Sequence, residues 1–191
     1  MDTEYEATFS PVDKDESRVK LEASGAKLAY PERLMRRTTF NLPPPLASVH
    51  RFARVRDEGD RITMSVKQIT GEGIEGQKEA MVVINDFAQG IALLKSLGCI
   101  EKSYQETKRE LWVLDGAEVT IDEWPFLEPY IEIEGTSESA VRAVAQKLGF
   151  DWKDARFCAV GTLYMERYGK TEDYINNHIP RIVFDESNPF T

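Results

Sequence analysis

The stretch RFARVRDEGDRITMSVKQI, residues 51–69, alternates polar and apolar side chains on both sides of a short turn. Alternation with a period of two is typical of β-strands, and Glu58-Gly59-Asp60 has the composition of a tight turn. These residues therefore predict an antiparallel hairpin, with strands at about 50–57 and 60–69.

The two strands of this hairpin have chemically distinct faces. On the first strand Arg54 and Arg56 point to one side, while Ala53 and Val55 point to the other. On the second strand the polar face carries Arg61, Thr63, Ser65 and Lys67. The hairpin thus predicts a sheet with one apolar face for a core and one largely basic face.

The rest of the chain continues this pattern, with helices between groups of strands. Further strands are predicted at about 4–9, 36–42, 77–84, 105–114, 116–123 and 130–135. Helices are predicted from Asp13 to Ser24, from Asp86 to Leu97, from Ser137 to Leu148 and at about 162–177, since Asp and Ser are favoured N-caps. The motif Gly71-x-Gly73-x-x-Gly76 lies between two strands and indicates a hairpin loop rather than a dinucleotide-binding turn. Hairpins with helices set apart indicate an α+β fold, and about eight strands are enough to close into a barrel.

Two architectures fit the polar strand faces. In an open sheet, the acids and bases would form solvated cross-strand ion pairs that contribute about 0.2–1 kcal/mol each. In a closed barrel, the same side chains would line a lumen in which bases bind a polyanion and acids bind its metal ion. Glu4 and Glu6 share one strand face, as do Glu132 and Glu134, and such carboxylates suit a hard divalent cation.

The net charge limits the classes of partner. Lys and Arg number 24 against 33 Asp and Glu, which gives a formal net charge of −9. Binders of nucleic acids and anionic membranes need a net basic footprint, so neither nucleic acid nor a membrane is expected as a partner. An acidic exterior still permits a local basic site.

Several features favour a cytoplasmic location. Cys99 and Cys158 lie in apolar surroundings without metal-ligand spacing and are expected as buried free thiols. The acidic segment 1–6 lacks the apolar stretch of a secretory signal, and no apolar run approaches the ~20 residues of a membrane span. A cytoplasmic protein is therefore expected.

Six charged motifs follow one another along the chain. They are Glu4-x-Glu6, Arg54-Val55-Arg56, a strand ending in Lys67, Lys108-Arg109-Glu110-Leu111-Trp112, Ile121-Asp122-Glu123 and Tyr130-Ile131-Glu132-Ile133-Glu134. In this order they resemble the CYTH family, the triphosphate tunnel metalloenzymes, which include class IV adenylate cyclases, thiamine triphosphatases and inorganic triphosphatases. The resemblance covers about residues 2–149. It implies a closed eight-stranded antiparallel β-barrel around a tunnel, with helices packed outside.

The resemblance also implies roles for individual residues. The implied ligands of a Mg²⁺ or Mn²⁺ cofactor are Glu4, Glu6, Glu132 and Glu134. The implied catalytic and substrate-binding bases, which would hold the triphosphate, are Arg54, Arg56, Lys67 and Arg109. Lys108 and Asp122 are further substrate-binding candidates. Alternation can turn Lys108 outward, and Asp122 can instead be an ion-pair partner that orients an arginine.

One position departs from the family pattern. The family's first motif is Glu-x-Glu-x-Lys, whereas the fifth position here is Thr8. Threonine keeps a hydrogen bond but supplies neither a positive charge nor a useful base at neutral pH. The expected fold survives this change, whereas a high catalytic rate is not expected.

The expected activity is divalent-metal-dependent hydrolysis of inorganic triphosphate, a nucleoside triphosphate or thiamine triphosphate. One alternative is a class IV adenylate cyclase that forms cyclic AMP from ATP, although no adenine-reading motif is identifiable. Another is a non-catalytic module that binds triphosphate or polyphosphate, which Thr8 favours. Residues 1–191 are expected to form one domain with a C-terminal helical and irregular extension at 157–191. The sequence leaves open whether this extension is a plug, a lid or an oligomer contact, as in a homodimer.

Overall fold

Eight antiparallel strands close into a barrel. The computed structural model describes residues 1–47, 50–70 and 73–191. The strands are β1 (Asp2–Phe9), β2 (Lys27–Asn41), β3 (Arg51–Asp57), β4 (Ile62–Ile69), β5 (Gln77–Ile84), β6 (Ile100–Leu114), β7 (Ala117–Glu123) and β8 (Tyr130–Gly135). Their order around the barrel is β2-β3-β4-β5-β1-β8-β7-β6, and pairing of β2 with β6 closes the sheet. The expected α+β barrel is confirmed, and the open-sheet alternative is wrong.

Five α-helices of the described part of the chain lie outside the barrel. They are α1 (Lys14–Ala23), α2 (Phe87–Ser96), α3 (Glu138–Lys147), α4 (Val160–Tyr168) and α5 (Glu172–Asn177). The first three begin where predicted, because Asp13, Asp86 and Ser137 accept hydrogen bonds from backbone N–H groups of the first turn. Within the described residues, no helix has the length and apolar character that a membrane crossing requires.

The hydrophobic core lies between the helices and the outer wall of the barrel. Ala7 of β1 packs in one buried cluster with Leu21 of α1 and Val141 of α3. Val55 of β3 packs in a second buried cluster with Leu94 of α2. Since neighbouring side chains on a strand point to opposite faces, covering the apolar face leaves the polar face to the barrel lumen.

Two strands are longer than the alternation indicates. β2 begins at Lys27 rather than near 36, and β6 begins at Ile100 rather than near 105. Pro31 lies in a part of β2 where the register against β6 shifts. Proline has no N–H for the ladder and is confined to such irregular or edge positions, so the proline interrupts the strand pattern.

The C-terminal extension also differs in detail from its prediction. The helix expected at 162–177 is divided into α4 and α5, because Gly169 ends α4 with a left-handed φ of 64° and Thr171 caps α5. A two-residue strand, β9 (Arg181–Ile182), then runs parallel to β6. The hairpin loop expected at 71–76 includes Gly71 and Glu72, which lie outside the described residues.

The extension packs at one mouth of the barrel. The backbone groups of Thr8 and Arg156 exchange two hydrogen bonds of 2.9 and 3.0 Å, beyond the part of β1 that pairs with β5. Ile175 of α5 packs in a buried cluster with Trp124 and Tyr130. Trp124 follows β7 and Tyr130 begins β8, so this cluster marks the mouth that the extension covers.

The two cysteines are free thiols. Cys99 is buried in the cluster beneath α2, as expected, whereas Cys158 at the start of the extension is only partly buried. Burial raises the pKa of both thiols, which keeps them protonated at neutral pH.

Candidate active site

The polar strand faces converge inside the barrel, where acids and bases interleave. The basic side chains of the lumen are Arg37 of β2, Arg54 and Arg56 of β3, Lys67 of β4 and Arg109 of β6. The acidic side chains are Glu4 and Glu6 of β1, Glu79 of β5, Asp122 of β7, and Glu132 and Glu134 of β8. The structure thus brings together every predicted site residue except Lys108, and it adds Arg37 and Glu79.

Arg109 is held by two carboxylates. Its Nε lies 2.7 Å from Asp122 Oδ1, and its Nη2 lies 2.8 Å from Asp122 Oδ2 and 2.6 Å from Glu132 Oε2. Thr120 donates a hydrogen bond of 2.7 Å to Asp122 Oδ2 and fixes that carboxylate. Burial opposes the charge of Arg109, but Asp122 and Glu132 outweigh it and raise its pKa. The geometry of Asp122 is that of an ion-pair partner that orients an arginine.

Arg54 and Lys67 are each held by one carboxylate. Arg54 Nη2 lies 3.0 Å from Glu79 Oε1, and Lys67 Nζ lies 2.9 Å from Glu4 Oε2. Burial opposes ionisation of Glu79, but Arg54 and Lys67 outweigh it and lower the pKa of Glu79. Burial likewise opposes the charge of Lys67, but Glu6 and Glu4 raise its pKa. Both bases are therefore cations held in place inside the lumen.

Arg56 is oriented by a carboxylate at the barrel wall. Its Nε donates a hydrogen bond of 2.9 Å to Glu58 Oε1, and Arg61 Nε donates one of 2.8 Å to Glu58 Oε2. Glu58 is only 2% exposed. Burial by itself would raise the pKa of Glu58, but Arg56 and Arg61 hold that pKa at about 2. Glu58 is thus a fixed anion that positions Arg56.

Arg37 differs from these bases because no described carboxylate pairs with it. Its side chain is 7% exposed, its Nη2 donates a hydrogen bond of 2.9 Å to Thr107 Oγ1, and its guanidinium carbon lies 4.6 Å from the Trp124 ring centre. Its Nε has no hydrogen-bond partner among the described residues. Burial, followed by the charges of Arg54 and other lumen arginines, lowers the pKa of Arg37. Among the residues that the structure describes, the lumen therefore contains a buried cation without a carboxylate partner.

The four glutamates expected as metal ligands lie on two paired strands. β1 and β8 are antiparallel neighbours, and Glu6 lies opposite Glu134. Burial, reinforced by Glu6, raises the pKa of both Glu132 and Glu134. Burial also raises the pKa of Glu4, against the opposing effect of Lys67. Raised values indicate crowded carboxylates that lack enough positive charge nearby.

These carboxylates have the donor chemistry that a divalent cation needs. Glu4 Oε2 is buried, and its ion-pair partner among the described residues is Lys67 Nζ, at 2.9 Å. Hard carboxylate oxygens suit Mg²⁺ and Mn²⁺. Across residues 1–47, 50–70 and 73–191, however, no three carboxylate, imidazole or thiol groups are already gathered as a metal-binding cluster. A cation at Glu4 would thus compete with Lys67 for the same oxygen.

Lys108 lies outside the lumen. Because Arg109 points inward, alternation turns Lys108 outward. Its Nζ lies 3.3 Å from Glu123 Oε1 and 4.4 Å from the centre of the Phe184 ring. This position does not support the substrate-binding role expected for Lys108, and it agrees with the outward orientation that alternation allowed.

Three site residues escaped the sequence reasoning: Arg37, Glu58 and Glu79. Arg37 lies in the part of β2 where four consecutive polar residues, 36–39, conceal the alternation. The composition of Glu58-Gly59-Asp60 predicts a turn, and the backbone forms one, but the side chain of Glu58 is buried in the barrel wall. Glu79 lies directly opposite Lys67 in the β4–β5 ladder, so a hairpin register drawn from the sequence could have revealed it.

A cavity of about 650 Å³ connects the lumen with the C-terminal extension. Arg37, Arg54 and Trp124 line it on the barrel side, and Val160 and Ile175 line it on the extension side. The mouth that the extension covers is therefore not filled. The cavity lies beside Arg37, the lumen base without a carboxylate partner among the described residues.

Comparison with protein families agrees with this geometry. The family model of the CYTH domain matches residues 3–157. The chain belongs to the CYTH domain family. No curated protein sequence matches this CYTH protein.

Solved structures share the fold of this CYTH protein. A conserved hypothetical protein from Pyrococcus furiosus is 20% identical with a TM-score of 0.70, and the match covers 84% of this chain and 99% of that one. A candidate adenylate cyclase from Vibrio parahaemolyticus is 12% identical with a TM-score of 0.72, covering 84% of this chain and 97% of that one. A candidate adenylyl cyclase from Hippeastrum, described as having a dominant triphosphatase activity, is 15% identical with a TM-score of 0.54, covering 88% and 97%. At these identities the likeness concerns the fold.

Proposed function

We propose that this CYTH protein hydrolyses a triphosphate-containing substrate inside the barrel with the help of Mg²⁺ or Mn²⁺. The supporting observation is the excess of guanidinium charge around Arg37. A buried cation without a counter-charge is costly unless a ligand compensates it. A triphosphate is a compact polyanion, and it would supply that charge to several lumen bases at once.

The lumen bases would bind and orient the phosphate groups. Arg54 and Arg56 can each form bidentate contacts with phosphate oxygens, and Lys67 adds a point charge. Their ion pairs with Glu79, Glu58 and Glu4 hold them inside the lumen before substrate arrives. In phosphoryl transfer such positioning and charge stabilisation supply most of the catalysis.

The acidic side of the lumen would hold the divalent cation. The residues expected to bind it are Glu4, Glu6, Glu132 and Glu134. Burial raises the pKa of Glu4, Glu132 and Glu134, so a bound cation would favour their ionised form. When bound, such an ion offsets the negative charge of the phosphate oxygens. Asp122 is expected to keep Arg109 aligned for the same phosphate groups through its two hydrogen bonds.

A binding module without catalysis is a second candidate, and Thr8 is the observation that favours it. The side chain of Thr8 is 2% exposed and stands where the family motif has lysine. It therefore adds no positive charge to the lumen. Under this alternative, the protein binds triphosphate or polyphosphate with the same bases but releases it unchanged.

A class IV adenylate cyclase is a third candidate, favoured by the cavity next to Arg37, which has room for an organic group. The two reactions differ in the attacking oxygen. Hydrolysis uses water and releases phosphate, whereas cyclisation uses the ribose hydroxyl of ATP and releases pyrophosphate. Chromatography of the products from ATP separates these reactions, and we expect inorganic phosphate without cyclic AMP.

The proposal is tested by phosphate release from tripolyphosphate, ATP and thiamine triphosphate with Mg²⁺ or Mn²⁺. We expect turnover of at least one substrate, abolished by chelation of the metal. The double variant Glu4→Gln/Glu6→Gln should lose activity by at least about a hundredfold, since removing one charge-stabilising group typically costs that much. The matched control Glu16→Gln/Glu22→Gln changes two exposed glutamates of α1 and should keep full activity.

Two results would contradict the proposal in different ways. Full metal-dependent activity in Glu4→Gln/Glu6→Gln would refute the assignment of the metal ligands. Absence of turnover on all three substrates, together with calorimetric binding of tripolyphosphate, would instead establish the binding module.

A further inference from the structure

Helix α2 has an outward surface unlike those of α1 and α3. The three helices are each 10 residues long, and α1 carries six charged residues and α3 three, whereas α2 carries only Lys95. Lys95 pairs with Glu101 at 2.6 Å, so its charge is compensated. A helix on the outside of a globular fold ordinarily has charged and polar residues on its solvent side. The outward surface of α2 therefore lacks the feature that suits such a helix to water.

Both sides of α2 are apolar. The inward side contributes Ile91 and Leu94 to the cluster that contains Val55 of β3. On the outward side Leu93 is 48% exposed, and Leu97, which caps the C-terminus of the helix, is 63% exposed. A helix that is apolar all round is usually buried. α2 thus has the composition of a buried helix, although its outward side faces solvent.

Apolar residues continue this surface at both ends of the helix. Beside the C-terminal end, a Cβ placed on Gly98 would lie 3.5 Å from Pro43, and Leu46 in the same loop is 51% exposed. Beside the N-terminal end, Val82, which alternation places on the outer side of β5, is 53% exposed. We call the surface formed by Leu46, Val82, Leu93 and Leu97 the α2 face.

The α2 face has the extent of a protein interface. Residues 43–47 and 82–97 form this face and its surroundings, and only Gly90 and Leu94 among them are buried. About 20 accessible residues remain, and a standard interface uses roughly 20–30 residues on each side. Large exposed apolar patches are rare on monomeric proteins and mark interaction sites.

The charge of the chain indicates which partner fits. With a formal net charge of −9, two copies repel each other where their acidic surfaces approach. This repulsion is weakest at the α2 face, because the one charge of the helix, on Lys95, is already paired with Glu101. The described residues of the face offer no charged patch to a polyanion or to a strongly charged protein. A neutral apolar face is complementary to a second copy of itself, as a two-fold symmetric interface requires.

We propose that this CYTH protein forms a symmetric dimer in which the α2 face of one copy packs against the α2 face of a second copy. Ala88 and Ala92 lie one turn apart on the outward side of α2, and such small side chains allow two helices to approach closely. In the dimer, Leu93 and Leu97 of each copy exchange water for apolar contact. The dimer goes beyond the proposed function, because it concerns the outside of the barrel rather than the lumen or the cavity at its mouth.

Sedimentation equilibrium of the full chain measures the association directly. We expect a dimer with a Kd in the micromolar range or tighter, as for interfaces of standard size. In Leu93→Glu/Leu97→Glu, carboxylates of both copies meet in the interface, so Kd should rise at least about a hundredfold. The matched control Val19→Glu/Leu28→Glu adds the same charge at side chains that are 65% and 48% exposed on α1 and β2, and it should leave Kd nearly unchanged.

Opposite charges test whether the face meets itself. Leu93→Lys/Leu97→Lys should also be monomeric alone, because its ammonium groups repel each other across the interface. An equimolar mixture of this variant with Leu93→Glu/Leu97→Glu should recover the dimer, since the ammonium groups of one copy then meet the carboxylates of the other. Far-UV circular dichroism of each variant checks that these exposed substitutions leave the fold intact.

Three results would overturn the dimer. A wild-type chain that stays monomeric at about 100 μM, above the Kd range of such interfaces, would leave the α2 face to a different partner. An equal rise in Kd for Leu93→Glu/Leu97→Glu and its control would reflect net charge rather than contact. A mixture of the two charged variants that stays monomeric would place the face against a different surface. Phosphate release reports on the proposed function separately, so either proposal can fail without the other.

Discussion

Arg109 and Arg37 lie on the neighbouring strands β6 and β2, but their surroundings are opposite. Arg109 contacts the carboxylates of Asp122 and Glu132, whereas Arg37 contacts a hydroxyl and an aromatic ring. The middle of the lumen therefore compensates its own charges, and the mouth leaves one charge to be compensated. Arginines paired with carboxylates, such as Arg109, are expected to maintain the site. An arginine without a carboxylate, such as Arg37, is expected to be available for a ligand.

The largest expected difference concerns stability. Arg109→Met leaves Asp122, which is fully buried, and Glu132 without their cation, and breaking a buried pair in this way costs about 3–5 kcal/mol of unfolding free energy. Arg37→Met removes a cation that has no carboxylate partner among the described residues. We expect its unfolding free energy to stay within about 1 kcal/mol of the wild type or to rise.

Urea unfolding of both variants without ligand checks this contrast. Equal destabilisation by Arg37→Met and Arg109→Met would mean that the two arginines are structural to the same degree. Arg37 would then be a structural residue, and the mouth would not be the ligand-binding end of the lumen.

The second prediction concerns Glu58, the fixed counter-ion of Arg56 and Arg61. The pKa of Glu58 is held at about 2, below the ordinary value of 4.5. A carboxylate with a lowered folded-state pKa stabilises the protein above about pH 4.5, and this contribution is lost as the pH falls towards 2. The shift corresponds to about 3 kcal/mol. Glu58→Gln should therefore be destabilised by an amount of this order at pH 7.

The pH dependence distinguishes this effect from a loss of packing. The difference in unfolding free energy between wild type and Glu58→Gln should shrink as the pH is lowered from about 5 to 3, since the Glu58 carboxyl takes up a proton in the unfolded chain while it stays ionised in the folded protein. An exposed control, Glu16→Gln, should show a small difference at every pH. A constant difference for Glu58→Gln would show that Glu58 acts through shape rather than charge.

The paired residues of the lumen can be predicted from local sequence patterns, whereas the surroundings of Arg37 cannot. Strands with clean alternation, such as β3 and β8, revealed their inward residues, because one apolar face was enough to orient every neighbour. Arg37 lies in a polar run, and its lack of a carboxylate depends on how β2 meets β6 across the closed barrel. Such pairing joins residues that are distant in sequence, so no local pattern contains it. The cavity likewise requires the extension to fold back over the barrel mouth.

A third prediction tests whether the charge at the mouth is reserved for a polyanion. Tripolyphosphate at about 100 times its Kd should stabilise the wild type by about 2.7 kcal/mol. Arg37→Met should weaken binding by at least about tenfold, or ~1.4 kcal/mol, and so reduce the rise in Tm at the same ligand concentration. Arg51→Met, at the outer end of β3 beside Gln68, is a control that should retain the full rise. An unchanged Kd for tripolyphosphate in Arg37→Met would show that Arg37 at the mouth does not bind the polyanion.

The smallest expected effect concerns Thr8, which adjoins the compensated middle because it lies opposite Glu132 on β8. Thr8→Lys would place a cation beside a carboxylate whose pKa burial and Glu6 raise, and that carboxylate could hold the new ammonium in the lumen. If the missing lysine limits the rate, kcat should rise about tenfold, which is less than the roughly 10²–10⁴-fold that a well-positioned proton-transfer group supplies, because the surrounding site is not built for a lysine. Thr8→Met, of comparable length without charge, should not raise kcat. A kcat in Thr8→Lys equal to that of Thr8→Met would show that this position does not limit the rate, and that the bases already present determine how the protein treats its triphosphate.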